Sequence, residues 1–153
     1  MKTSKITFTA VAAGCAACAL FATPSTNSLE AVKADWYEGR YTNVYELAVE
    51  RFASNSNDLV AAHLAMEYET CFGSREAFSN SVMRLVEITD TVTHPALTNE
   101  FAETREDWIW YATEFLPSRT DEQLEQHRAK CRQIHRVLSS DYILEMIDDA
   151  GLW

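Results

Sequence analysis

His127, Cys131 and His135 step by four residues through H-x-x-x-C-x-x-x-H, a spacing that stacks three side chains along one flank of a helix. Imidazole and thiolate arranged in that way could ligate a metal ion. No fourth ligand is apparent beside them, and a disulfide at Cys131 would consume the thiolate. Packing and hydrogen bonding are the competing assignment for the same residues. Cys131 also belongs to a second constellation, because Cys71 and Cys131 are the only cysteines beyond residue 22. In an exported chain two such cysteines suggest one disulfide, closing a loop of about 60 residues and stabilising by ~4 kcal/mol in the chain-entropy treatment. Two separate buried thiols acting as small apolar fillers are the alternative.

Other pairs have the spacing for chemistry without its remaining parts. His63 and Glu67, and likewise Glu103 and Asp107, stand at i and i+4. The first pair could ligate and the second could act as paired carboxylates, yet exposed acid on a helix is the ordinary explanation of the second. No H-E-x-x-H, no E-x-x-H pair, no G-x-S-x-G, no S-x-x-K and no glycine-rich phosphate loop occurs. The expectation is therefore a protein that is not an enzyme and carries no cofactor. A metal protein or enzyme using the His127, Cys131 and His135 face remains an alternative.

Two clusters suit partners better. Trp108-Ile109-Trp110-Tyr111 is one full helical turn of large apolar side chains. A helix cannot direct all four into one core face, so something should cover the outward ones. Trp36 and Tyr37 are the aromatics expected to join them, and a short buried strand over Trp108 to Ala112 is a minor alternative. Arg128, Arg132 and Arg136 form a ladder at i, i+4 and i+8 that could grip a carboxylate or phosphate group. Internal pairing with acids such as Glu125 competes with that role.

The opening segment places these residues in a compartment. Lys2 and Lys5 precede an apolar run from Ile6 to Ala22, the layout of a secretory signal peptide. Ala17-Cys18-Ala19 suggests cleavage before Leu20, and a cut after Ala22 is the alternative. Ala12-Ala13-Gly14-Cys15 resembles a bacterial lipobox, so attachment to a membrane is expected only if Cys15 or Cys18 is lipidated. Cys15 and Cys18 form C-x-x-C inside this apolar run, where neither a redox site nor haem attachment fits. The domains expected are a signal peptide over 1–22, a short linker over 23–27 and one helical domain over 28–153. The chain carries 13 basic and 23 acidic residues, a net charge of −10, which becomes −12 once Lys2 and Lys5 are removed. Such a surface repels phosphate backbones and argues against nucleic-acid binding.

The elements that must position all this read as all-α. Breakers beyond residue 22 are three glycines and three prolines, standing at joints between segments of helical periodicity. Helices are expected over about 29–38, 42–53, 58–72, 75–88, 99–116 and 121–138, with a short last one over 141–150. Ser28, Asp58, Ser74 and Ser140 stand as caps, and Thr120 with Gln123 as a capping box. Residues 89–98, including His94-Pro95, are expected to connect. Tyr142, Ile143, Met146 and Ile147 should point inward from the last helix.

Six helices in three antiparallel hairpins, with a capping helix after them, admit two arrangements: a solenoid of repeats or a compact bundle. Gly39 and Gly73 each occupy a turn within a hairpin and lie 34 residues apart. Glu38-Gly39-Arg40-Tyr41 looks like an inter-helix turn and Asn55-Ser56-Asn57-Asp58-Leu59 like a repeat junction. Over about residues 28–88 the chain thus resembles tetratricopeptide-type helical repeats. That family's small-residue positions hold Val44, Arg51, Met66 and Phe78 here. The resemblance implies a concave surface lined by the first helix of each hairpin, and a protein or peptide as partner. A small envelope protein without a groove is the alternative reading.

Overall fold

In the computed structural model, which describes residues 27–134 and 141–153, the chain forms seven α-helices and a single π-helical turn. They are α1 (Leu29–Tyr37), α2 (Tyr41–Ser54), α3 (Leu59–Phe72), α4 (Arg75–Thr89), α5 (Pro95–Trp110), the π turn (Tyr111–Phe115), α6 (Asp121–Ile134) and α7 (Asp141–Asp149). No strand occurs among the described residues, and the segment from Trp108 to Ala112 is helical throughout. The signal segment, His135, Arg136, Leu138 and the Ser140 cap lie outside the described residues.

Local chemistry starts α1, α3, α4 and α6 close to where the periodicity placed them. Ser28, Asp58 and Ser74 each accept a hydrogen bond from the backbone N–H three residues on, at 3.3, 2.8 and 3.0 Å. Each such cap is worth ~1 kcal/mol. Thr120 and Gln123 form the reciprocal box, backbone to side chain in both directions. The fifth helix begins four residues earlier than its periodicity suggested. Pro95 takes its first position, where a missing N–H costs nothing and the fixed φ already suits a helix.

Gly39 and Gly73 do different work despite their spacing. At Gly39 φ is +80°, its N–H donates to Trp36 O, and the N–H of Arg40 reaches back to Asp35 O at 2.8 Å. That is a Schellman ending, which favours glycine. Gly73 has φ −72° and is needed for another reason. A Cβ there would collide with the Glu69 side-chain carboxylate and also meet the Glu69 carbonyl oxygen at 2.8 Å.

α3 is the centre of the molecule. Leu59 through Glu67 are all buried, as are Glu69 and Cys71. α2, α4, α6 and α7 surround it, giving every side of this helix a neighbour. α1 with α2, and α3 with α4, form the first two hairpins. The third is joined at its turn by Tyr111 and His127, after which α6 lies against α3. α7 packs on α1, α3 and α5, burying Leu144 and Ile147, and Lys33 ties it to α1 through Glu145 at 2.5 Å. The assembly is therefore a compact bundle. Tyr142, expected inward, is 59% exposed, because the buried stripe of α7 runs through Leu144 and Ile147 one step out of phase with it. No described helix is long and apolar enough to cross a membrane.

Arg75 at the start of α4 fastens the turn between the π segment and α6. Its guanidinium donates to the carbonyls of Leu116 and Arg119 and pairs with Asp121 at 3.0 Å. Arg51 and Asp58 form a two-bond pair at 3.0 Å, half shielded from water, while Asp58 also caps α3.

The two glycines should fail differently on substitution. Gly39→Ala should cost ~1 kcal/mol from left-handed backbone strain alone. Gly73→Ala should cost more, ~2 kcal/mol, because the added methyl meets the Glu69 carbonyl oxygen, which cannot move away, as well as the Glu69 carboxylate, which can. Urea unfolding of the two variants checks both the size and the order.

Candidate functional site

Within the aromatic turn, helical geometry divides the residues. Trp108, Ile109 and Tyr111 are half-buried, while Trp110 stands 54% exposed. Trp108 leans on Phe101, with ring centres 6.0 Å apart. Directly after Trp110 the helix widens, and the N–H of Leu116 donates to Tyr111 O, five residues back. This widened turn stacks Phe115 on Tyr111 at 4.6 Å and brings it to 5.7 Å from Trp110. The result is a small aromatic cluster with one ring open to solvent. Nothing in the spacing of residues 108–116 announces the change of helix type.

Trp36 does not belong to this face. It is 1% exposed, on the Leu29 and Val32 stripe of α1, and meets Tyr41 edge-on at 5.0 Å. Its neighbour Tyr37 is 41% exposed on the opposite side of α1. The two cannot form one binding surface, because consecutive helical residues point about 100° apart.

On its inner side Tyr111 meets the second constellation. Tyr111 hydroxyl and Cys131 Sγ both approach His127 Nε2, the latter at 3.4 Å. Burial raises the Tyr111 phenol and the Cys131 thiol above their ordinary values. Both therefore keep their protons at neutral pH, and one of them at a time can donate to the single lone pair of the shared nitrogen. His127 is held below the ordinary imidazole value by burial first and then by Arg119, Lys130 and Arg128, so it remains neutral and can accept. Cys71, across the interface on α3, is pushed up to about 12 by burial, with the Cys131 and Glu67 charges adding to the effect.

Both cysteines are free thiols in this structure, where the sequence suggested a disulfide. They nevertheless lie on facing helices, and Arg132 of α6 donates to the Cys71 carbonyl at 2.8 Å. Protonated thiols are poor nucleophiles and poor metal ligands. Among the described residues no three His, Cys, Asp or Glu side chains converge as a metal site. His135 lies outside the described residues, so the three-residue ladder is seen only at His127 and Cys131.

The arginine ladder is engaged internally. Arg128 pairs with Glu125 at 3.6 Å, and Arg132 bridges Glu125 at 2.6 Å and the Cys71 carbonyl. Arg132 and Arg128 hold the Glu125 carboxyl below its usual range, the Arg132 hydrogen bond leading. Arg136 lies outside the described residues. Arg132 thus ties α6 to α3, Arg128 pairs within α6, and neither projects as a free anion grip.

His63 and Glu67 are buried on α3 with 3.8 Å between Nε2 and Oε1. His63 makes no hydrogen bond among the described residues, and burial pushes its imidazole down to about 4. It is a neutral core residue. Glu103 and Asp107 are exposed on α5. At one end of the bundle an open hollow of about 530 Å³ lies between Asp58, Ile88, Thr91, His94 and Leu152. Its carboxylate already caps α3 and pairs with Arg51.

Acid should weaken the fold through His63 and His127. Both have native pKa values below the unfolded value near 6.5, so the unfolded chain takes up protons first as pH falls. The stability present above pH ~6.5 should decline toward pH 4, with His63 contributing up to ~3 kcal/mol of the loss. Urea midpoints at several pH values test this, and His63→Leu should flatten the decline. In the reduced protein at pH 8, Cys71 should resist a thiol-alkylating reagent until the chain unfolds, with Cys131 reacting sooner. Peptide mapping after timed alkylation distinguishes the two sites.

No protein-family model, no curated protein and no solved structure matches this chain, so the reading of its function rests on these residues alone.

Proposed function

We propose that this protein is an exported helical interaction module that binds a protein or peptide through the outer face of α5 around Trp110. The observation that carries the reading is the 54% exposure of Trp110 within an aromatic cluster whose other members are packed. Large rings held rigidly at a surface supply contact area at little entropic cost, which is why tryptophan is enriched among the residues that dominate binding. The π turn behind it adds support, since such turns occur frequently at functional sites.

In a tetratricopeptide-type array the partner would lie along the first helices of the hairpins, here α1, α3 and α5. α7 already packs on those three helices. The docking surface proposed is therefore the exposed side of α5 and not an open concave groove. Export through residues 1–22, to the periplasm or the exterior, belongs to the same proposal, with a lipid anchor at Cys15 or Cys18 as its variant.

A second reading has its own support. The enclosure of α3 and the facing thiols of α3 and α6 suit a small structural envelope protein stapled by Cys71 and Cys131 in an oxidising compartment. Mass measurement of the exported protein without reductant tests the staple, with a loss of two hydrogens expected if it forms.

The binding proposal is tested by capture from the native envelope with wild-type protein and a Trp110→Ala variant as baits. Because Trp110 is largely exposed, the variant should keep its circular dichroism and thermal midpoint. A specific partner should be lost from it. Capture that persists undiminished in Trp110→Ala and in the Trp108→Ala, Trp110→Ala double variant would sink the proposal.

A further inference from the structure

The charge around Trp110 says what kind of partner fits there. Glu106 and Asp107 lie one turn before it, Glu103 two turns before, and Glu114 one turn after, and all four are exposed. No lysine or arginine among the described residues pairs with them, whereas Asp35, Asp58, Asp90 and Glu125 each hold an arginine. The aromatic cluster already takes one cation from its own chain. The Arg119 guanidinium sits 4.2 Å over Phe115, the ring adjoining Trp110. Trp110 itself is 54% exposed within a negative field, the combination that attracts an ammonium or guanidinium group.

We propose that the α5 face binds an extended peptide segment bearing lysine or arginine side chains, one of which stacks on Trp110 while its neighbours meet Glu103, Asp107 and Glu114. This rests on the reading of that face as the docking surface and adds the chemistry of the occupant. From Glu103 to Glu114 the face runs about 16 Å along the helix axis. An extended segment of about five residues covers that length. A partner therefore needs basic side chains within one short stretch and not a large folded surface. An anionic membrane is disfavoured as occupant, because the same carboxylates would repel it.

The test uses the full chain and three fluorescently labelled peptides of equal length, rich in lysine and arginine, in glutamate, or in serine and glutamine, followed by anisotropy. The basic peptide should bind, and added salt should weaken it. Trp110→Ala should weaken it by about tenfold, as should a Glu103→Gln, Asp107→Asn, Glu114→Gln triple variant. A control triple variant, Glu50→Gln, Asp148→Asn, Asp149→Asn, removes equal charge elsewhere and should change binding little. Equal loss in both triple variants, or basic-peptide binding indifferent to Trp110→Ala, would mean general attraction to an acidic protein and would overturn the inference. Trp110-dependent binding of the neutral or acidic peptide would overturn the cationic occupant and leave the docking face standing. Failure of all three peptides while envelope capture still depends on Trp110 would do the same. Failure of both assays removes the docking face itself.

Discussion

A helix buried on every side needs a neighbour in every direction, and α3 imposes that demand on the whole chain. From Leu59 to Glu67 no side chain of α3 reaches open solvent, so α2, α4, α6 and α7 must all come to it. The cost falls on its polar residues. His63 stays neutral, Cys71 keeps its proton, and Glu69 is hydrogen-bonded to the Tyr45 hydroxyl, whose own pKa is raised by burial and by that carboxylate. Each is the response expected of an ionisable group removed from water.

The demand of α3 also explains why α6 sits where it does. Its sequence has few apolar residues, so apolar burial alone gives it a weak hold. Leu124 and Cys131 pack inward, while Arg132 to the Cys71 carbonyl and the Tyr111 to His127 contact supply directed bonds. Arg75 fastens the preceding turn by donating to the Leu116 carbonyl, which also accepts from the Arg119 N–H, and to the Arg119 carbonyl. Hydrogen bonds to a charged donor in a half-buried turn are worth more than pairs at the open surface.

α5 stands in contrast, since only Leu97 and Phe101 are buried along it. Its outer side is free to carry Trp110 among carboxylates, and the π turn supplies the packed rings beside Trp110. Rigid packing behind and open chemistry in front come from the same short stretch.

The helices were legible from residue order because caps and stripes are local. Ser28, Asp58, Ser74 and the Thr120–Gln123 box act within four residues of themselves, and the Leu29, Val32, Trp36 stripe repeats at helical period. Some local rules still misled. Pro95 read as a connector residue yet opens α5, and equal spacing of Gly39 and Gly73 concealed two different backbone requirements. Of the candidate site, the sequence identified an aromatic turn with an outward member but could not say which, because contacts with α4 and α7 decide which side of α5 is covered. Trp36 and Tyr37 show the same limit, adjacent in sequence and opposite in exposure. Residue order by itself determined an acidic, all-helical chain with two cysteines beyond residue 22 and an aromatic excess near residue 110. Only tertiary structure decided that α6 and α7 close around α3, that Arg132 ties α6 to α3, and that Trp110 faces water. Those outcomes depend on contacts between residues far apart in sequence, such as Arg75 with Arg119, 44 positions apart, and Lys33 with Glu145, 112 positions apart, which no local pattern encodes.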